Sequence, residues 1–287
     1  MKLSYYPGCS LEGTALDYDQ SVRKICAKLD IELIEIDDWN CCGASSAHMT
    51  DREVGMRLPM RNLELCHSLG HDILVPCAAC FQRLKAADKE IRKNPGYWDF
   101  PTYSSDFEIV HISSFLARPD ILARLKESVI KPLTDLDIAC YYGCLSLRHP
   151  HITDAENWEM PNNLELIVEA IGATPVRWSH HTECCSGSLT MARPDIARKL
   201  VGDIATAAKR AKATVMVTDC PMCQANVESR QLDLGGENDL PVFFATELIV
   251  AAIEGEYPQK QRKTHLVSPA TLAKYFDHAV PGKEDAA

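Results

Sequence analysis

Asp38-Trp39-Asn40-Cys41-Cys42-Gly43 sets two adjacent cysteines against a glycine, and the remaining cysteines fall at regular distances from it. Upstream, Cys9 closes Tyr5-Tyr6-Pro7-Gly8-Cys9; downstream, Cys77-Ala78-Ala79-Cys80 begins 35 positions after Cys42. The pattern recurs as Cys144, Cys184-Cys185 and Cys220-Pro221-Met222-Cys223, again with 35 positions from Cys185 to Cys220. Cys42 and Cys185 are 143 positions apart, and so are Cys77 and Cys220. A period that long marks a duplicated domain rather than a solenoid unit. It takes in ten of the thirteen cysteines.

Adjacent Cα atoms sit about 3.8 Å apart across a trans peptide, short of the roughly 4.4–6.8 Å that a disulfide spans. A Cys41–Cys42 bond is therefore disfavoured. Five thiolates also exceed the four or so ligands of a structural zinc ion. A cluster of several irons has places for all five, and thiolates are its ordinary ligands. The first expectation is one multi-iron cluster per half, with Cys9, Cys41, Cys42, Cys77 and Cys80 in one set and Cys144, Cys184, Cys185, Cys220 and Cys223 in the other. Zinc in one or both sites stays open as a rival.

The chain has 287 residues, 46% of them hydrophobic, which suffices for two ordinary cores. The division falls at residues 1–130 and 131–287, the second part ending in a charged tail. With a formal charge of −10 and no cluster of lysine or arginine, a phosphate-backbone surface is not expected, so nucleic acid is not a partner. Met1 to Gly13 has no apolar leader core, and no apolar run approaches the 18 or so residues needed to cross a bilayer. We therefore expect a reducing, cytoplasmic setting without membrane insertion, in which the thiols hold metal or do redox chemistry.

Short apolar runs alternate with helical spacing throughout. Strands are expected at Lys2–Tyr6, Ile31–Ile36, Asp72–Val75, Glu108–Ile112, Asp137–Tyr141, Pro175–Trp178, Thr214–Val217 and Val242–Phe244. Helices are expected at Leu16–Leu29, Asp51–Leu69, Phe81–Lys93, from Ser113, at Leu164–Ile171, Asp195–Lys212 and Glu247–Glu254, with Leu125–Asp135 bridging the halves. Such alternation gives an α/β fold of two pseudo-symmetric, parallel-sheet, Rossmann-like domains. Each cysteine group lies past the carboxyl end of a strand. Those ends share one edge of an open sheet, where ligands bind.

Tyr5-Tyr6-Pro7-Gly8-Cys9, Cys41-Cys42-Gly43 and Cys77-x-x-Cys80, followed by the second set, resemble the CCG-domain proteins, above all the B-subunit family of heterodisulfide reductases. The resemblance covers nearly the whole chain. It implies a noncubane [4Fe-4S] cluster in each CCG domain, the two together cleaving a disulfide across a shared cleft, each handling one sulfur. It also implies a ferredoxin-like C subunit and a flavin-containing A subunit as partners, and a small-molecule disulfide or a sulfur-carrier protein as substrate. In a sulfur oxidiser the same site runs towards disulfide formation. The rival from the same resemblance is a non-catalytic electron-transfer subunit, as in lactate or glycolate oxidation or succinate:quinone reductases. One departure is visible: the second pair reads Cys184-Cys185-Ser186-Gly187, with its glycine one residue late, which puts that turn in question.

Cys26 and Cys66 fall on apolar helical stripes and read as core. Tyr141-Tyr142-Gly143-Cys144 aligns with Tyr5-Tyr6-Pro7-Gly8-Cys9, which assigns the ligand position to Cys144 and leaves Cys140 at the end of a strand, its role open. Disulfide cleavage consumes protons, for which histidine is suited near neutral pH. His180 and His181 precede Cys184 and, with Arg148, are the catalytic candidates; His48 follows Cys42 as a further one. Arg148 also suits an anionic substrate through paired hydrogen bonds.

Overall fold

The computed structural model describes residues 1–44, 46–99, 103, 106–235, 240–257 and 263–277. Two four-stranded parallel sheets organise them. The first contains β1 (Lys2–Tyr5), β2 (Glu32–Glu35), β3 (Ile73–Val75) and β4 (Ile109–His111) in the order β2-β1-β3-β4. The second contains β5 (Asp137–Tyr141), β6 (Thr174–Pro175), β7 (Val215–Thr218) and β8 (Val242–Phe244) in the order β6-β5-β7-β8. The duplication is thus one of topology as well as of cysteine spacing. Parallel strands need helices on both faces, and β3 and β7 are accordingly buried at every residue. In each sheet the order reverses between the first and third strands. That is where an open α/β sheet forms its crevice.

Two helices join the halves. Leu16–Lys28 buries Tyr18, Ser21, Val22, Ile25 and Cys26, a stripe at helical spacing. Ala245–Glu254 is buried at every residue from Ala245 to Ile253; most of these are apolar, and Thr246 and Glu247 are met by hydrogen-bonding partners. The two helices pack on each other, with Ser21 Oγ 2.7 Å from Thr246 Oγ1. Beside them the Tyr18 ring stacks on Phe244, centroids 4.0 Å apart.

Several boundaries differ from the sequence expectation. The helix expected from Phe81 begins at Ala78, so Cys77 caps it and Cys80 sits in its first turn. The segment from Ser113 forms two helices, Ile112–Leu116 and Pro119–Ser128, because Pro119 starts a new helix at its first position. The bridging segment expected at Leu125–Asp135 is thus helical only as far as Ser128. The strand expected at Pro175–Trp178 shrinks to Thr174–Pro175, since proline brings no N–H to a ladder. The charged tail carries a helix, Ala270–Asp277, that buries Leu272 and Phe276 four residues apart. The ammonium of Lys131 lies over the Tyr275 and Phe276 rings at 4.8 and 4.4 Å. The rest of that tail, 258–262 and 278–287, lies outside the described residues.

Ahead of this helix, His265 is buried between two carboxylates. Its Nδ1 is 3.0 Å from Glu228 Oε1 and its Nε2 3.3 Å from Glu247 Oε1. These carboxylates raise its pKa, against burial, to about 10. Thr264 donates to Asp17 on the Leu16–Lys28 helix, so this strap touches both halves. Among the described residues no helix is long and apolar enough to cross a membrane.

Candidate functional site

Each quintet of cysteines gathers at the carboxyl edge of its own sheet, and both quintets are arranged in the same way. In the first, Cys9 Sγ is 3.8 Å from Cys41 Sγ, and Cys42 Sγ is 3.3 Å from Cys80 Sγ. Cys41 and Cys42 interact directly, and so do Cys77 and Cys80. In the second, Cys144 Sγ is 3.6 Å from Cys184 Sγ, Cys185 Sγ is 3.7 Å from Cys223 Sγ, and Cys220 adjoins Cys223. None of the thirteen cysteines is in a disulfide. The sulfurs form a connected chain; among the described residues no three His, Cys, Asp or Glu side chains are placed to hold a single ion. Cys26, Cys66 and Cys140 are buried in the core, where burial pushes the first two thiols up to about 12.

Backbone geometry explains the residues around the sulfurs. Gly8 (φ +74) and Gly143 (φ +65) precede the first cysteine of each set. A Cβ on Gly8 would stand 2.8 Å from Cys80 Sγ, and one on Gly143 would stand 2.7 Å from Cys223 Sγ. Only glycine lets the chain pass so close in that left-handed conformation. After each Cys-Cys pair, Gly43 adopts φ 75 and Ser186 adopts φ 64. Ser186 therefore makes the turn that Gly43 makes, and the displaced glycine leaves turn geometry unchanged. In both halves this residue's N–H points at the first sulfur of the pair: Gly43 N to Cys41 Sγ at 3.5 Å, Ser186 N to Cys184 Sγ at 3.3 Å.

Side chains clamp the same loops. Tyr6 donates to Asn40 O and Tyr141 to Glu183 O, both at 2.7 Å; each carbonyl belongs to the residue just before the paired cysteines. Asn62 donates to Asn40 O and accepts from Asn40 N. In the second half Asn226 donates to Cys185 O at 2.6 Å. The hydroxyl of Tyr18 shares its proton between Pro76 O (3.1 Å) and Asp219 O (3.0 Å), the residues just before Cys77 and Cys220. His111 Nε2 donates to the same Pro76 carbonyl, and its Nδ1 is 3.4 Å from Asp219 Oδ2. Burial holds His111 towards its neutral form and Asp219 towards its protonated form. These clamps join residues remote in sequence, and no local motif announces them; only the recurrence of tyrosine two residues before Gly8 and Gly143 was visible.

The electrostatics are those of crowded sulfur. Contact with Cys41 and Cys80 draws Cys42 down to about 3, while the same contacts and burial push Cys41 and Cys80 up. In the second half hydrogen bonding with Cys144 draws Cys184 down to about 6, and Cys144 and Cys223 go up. Thiols this close cannot all ionise against one another. Positive metal ions remove that repulsion, and helix N-termini at Cys77 and Cys220 favour sulfur anions further.

The sites differ in what they face. All five cysteines of the second set border a cavity of about 180 Å³ between the halves, together with His48, Met49, Gln82 and Arg83 from the first half and Leu145 and Met222 from the second. Cys9 and Cys41, both exposed, open instead on a broad hollow shared with Glu12, Glu35, Asp37 and Asp38. The expected histidines lie off the cavity wall: His180 lines a surface hollow with Asp203 and Arg210, and the His181 ring faces Tyr142. The charge of Arg148 draws Cys184 down, and its Nε is buried without a hydrogen-bond partner among the described residues.

The model of a cysteine-rich domain, CCG, matches residues 3–85 and 138–228. Over 265 residues the chain is 29% identical to the 8-methylmenaquinol:fumarate reductase membrane anchor subunit of Wolinella succinogenes, covering 88% of this chain and 92% of that one. It is 24% identical over 268 residues to the B subunit of the Ferredoxin/F(420)H(2)-dependent CoB-CoM heterodisulfide reductase of Methanosarcina acetivorans, covering 88% and 89%. Among solved structures, a hypothetical protein from Helicobacter pylori shares the fold at a TM-score of 0.70 with 12% identity; it is matched over 93% of this chain and 52% of its own, about half its length.

Proposed function

The chain belongs to the CCG cysteine-rich domain family, and on that footing we propose that it is the disulfide-reducing iron–sulfur subunit of a heterodisulfide-reductase-like complex. The observation that carries this reading is the pair of five-sulfur chains, one at the edge of each duplicated sheet, with the second bordering a cleft between the halves. The cysteines fit a polynuclear centre: five soft donors in contact, backbone N–H groups aimed at two of them, and no room for a side chain at Gly8 or Gly143. Cys9, Cys41, Cys42, Cys77 and Cys80 would hold one [4Fe-4S] cluster of the noncubane kind, and Cys144, Cys184, Cys185, Cys220 and Cys223 the other. When bound, the two clusters supply two one-electron centres, matching the two electrons that a disulfide takes up.

Reduction of a disulfide also consumes two protons and releases two thiols. His48 is the imidazole on the cleft wall; its Nδ1 donates to Gly43 O at 3.4 Å, so Nε2 has a proton to give only in the imidazolium form. Met49, Leu145 and Met222 give the cleft an apolar wall beside the sulfur atoms, and Arg148 offsets negative charge at Cys184. Electrons would arrive from a ferredoxin-like subunit supplied in turn by a flavin-containing one.

A second reading is favoured by the similarity to the fumarate reductase anchor subunit: an electron-transfer subunit whose clusters pass charge without binding a disulfide. One experiment separates the two. Protein prepared without oxygen is analysed for iron and sulfide, then given a small disulfide and a reduced viologen dye. About eight irons per chain with steady dye oxidation supports the reductase. Full iron with no disulfide consumed favours electron transfer, and an iron-free protein ends both readings.

A further inference from the structure

Pro76 and Asp219 hold corresponding places in the two halves, 143 positions apart, each one residue before the cysteine that caps a helix. A single hydroxyl reaches both of their carbonyls: Tyr18 Oη lies 3.1 Å from Pro76 O and 3.0 Å from Asp219 O. The other clamps on the cysteine loops, Tyr6 on Asn40, Tyr141 on Glu183 and Asn226 on Cys185, each stay within one half. His111 spans the same pair as Tyr18. Its Nε2 donates to Pro76 O at 3.1 Å, and its Nδ1 lies 3.4 Å from Asp219 Oδ2 and 3.0 Å from Ser113 Oγ.

The ends of the fourth strands explain how this joint is built. β4 ends in His111 and β8 in Phe244, and each is followed two residues later by a hydroxyl, Ser113 and Thr246. His111 bonds to the loop directly. Phe244 has no polar group and instead stacks flat on Tyr18, at 4.0 Å and 1° between planes, so it aims the hydroxyl of the other half. Tyr18, His111, Asp219 and Phe244 are each at most 2% exposed. Water does not compete for bonds this deep, and a carbonyl that loses its donor there goes without one.

Two centres that act on one disulfide must stand at one separation, because its sulfurs are bonded to each other and reacting atoms work only within a narrow range. We infer that Tyr18, with His111 beside it, is a positioning residue that fixes the separation of the two cysteine sets by tying the loop before Cys77 to the loop before Cys220. This rests on the disulfide reading above and adds what sets the gap between its two centres.

The test uses cluster-loaded protein of matched iron content, with both clusters reduced, and reads the magnetic interaction between them by pulsed electron paramagnetic resonance. Wild type should give one well-defined interaction. Tyr18→Phe keeps the stack on Phe244 and removes only the hydroxyl. It should show about fivefold more protein with a weakened or spread interaction, the weight of one buried hydrogen bond, while each cluster keeps its own signal. Ser21→Ala is the control, since it cuts the bond to Thr246 between the halves without touching either cysteine loop; it should behave as wild type. An interaction unchanged in Tyr18→Phe, or loosened equally in Ser21→Ala, overturns the inference, and so does a wild type with no interaction at all. Disulfide turnover on the same samples keeps the two readings apart. A wild type that consumes disulfide, beside a Tyr18→Phe variant whose interaction is intact, removes the joint alone. A wild type that consumes none, beside a Tyr18→Phe variant whose interaction loosens, removes the disulfide reading and leaves the joint.

Discussion

The two cysteine quintets share their internal geometry and differ in what they open onto. Cys9 and Cys41 stand exposed beside Glu12, Asp37 and Asp38, whereas Cys144 and Cys184 are half-covered and border the cleft between the halves. The loop interiors explain the likeness. A left-handed glycine, a tyrosine clamp and an N–H aimed at sulfur recur in both, because a strand end must wrap sulfur in the same way wherever it occurs. The unlikeness comes from outside the loops. The Ala78–Lys93 helix brings Ala79, Gln82 and Arg83 to the cavity that the second quintet borders, whereas Cys9 and Cys41 open on a hollow lined by residues of their own half. Duplication supplies two equal sites, and asymmetric packing assigns them different surroundings.

The comparison is tested most severely at the two glycines. Gly8→Ala and Gly143→Ala each place a Cβ against a sulfur in a backbone conformation that costs about 1–2 kcal/mol for an L-residue. Each variant should lose about half the protein's iron by metal analysis and keep the other half. Loss of all iron from one variant would show that the sites load interdependently, and the halves could no longer be treated as separate centres.

A smaller effect separates the second half from the first, since His265 straps the tail to Glu228 and Glu247, with Asp17 nearby. Its folded pKa, about 10, lies above the ordinary value of 6.5. The stabilisation is therefore complete below about pH 6.5 and is lost as pH rises through 10. His265→Gln should be less stable than wild type by a few kcal/mol at pH 7, because it leaves two buried carboxylates without their cation. The gap measured by urea unfolding should close towards pH 10. A gap independent of pH would mean that the strap is held by packing alone.

The smallest effect is expected at the turn after the paired cysteines. Ser186→Gly should raise stability by up to about 1 kcal/mol in urea unfolding, because serine there holds φ 64. The reverse change, Gly43→Ser, should destabilise, since a Cβ there would lie 2.9 Å from Leu58 Cδ1. Equal behaviour of the two positions would remove this distinction between the halves.

The repeat was legible because its landmarks are chemically rare: Cys-Cys and Cys-x-x-Cys recur at one offset. Strands were legible because β3 and β7, buried on both faces, must be continuous apolar runs. The strand at Pro175 was overextended, since burial there does not decide whether a ladder continues past proline. The tail helix went unseen among charged residues because Leu272 and Phe276 show their purpose only against the partner surface they cover. The histidine candidates were chosen by nearness in sequence to the paired cysteines, His180 and His181 to Cys184 and His48 to Cys42. Of these, only His48 lines the cleft, reaching it from the opposite half.

The order of residues determined by itself the two-fold repeat, the α/β class, the membership of each cysteine set and the strand ends on which the sulfurs stand. Periodicity and spacing are local, and a strand followed by cysteine must deliver that cysteine to the sheet edge. Tertiary structure alone decided that the second set borders a cleft, that Tyr18 ties Pro76 to Asp219 and that Arg83 of the first half stands on the wall of that cleft. Each of these depends on how one half packs against the other. Such packing is the outcome of the whole buried surface, and no short stretch of the chain encodes it.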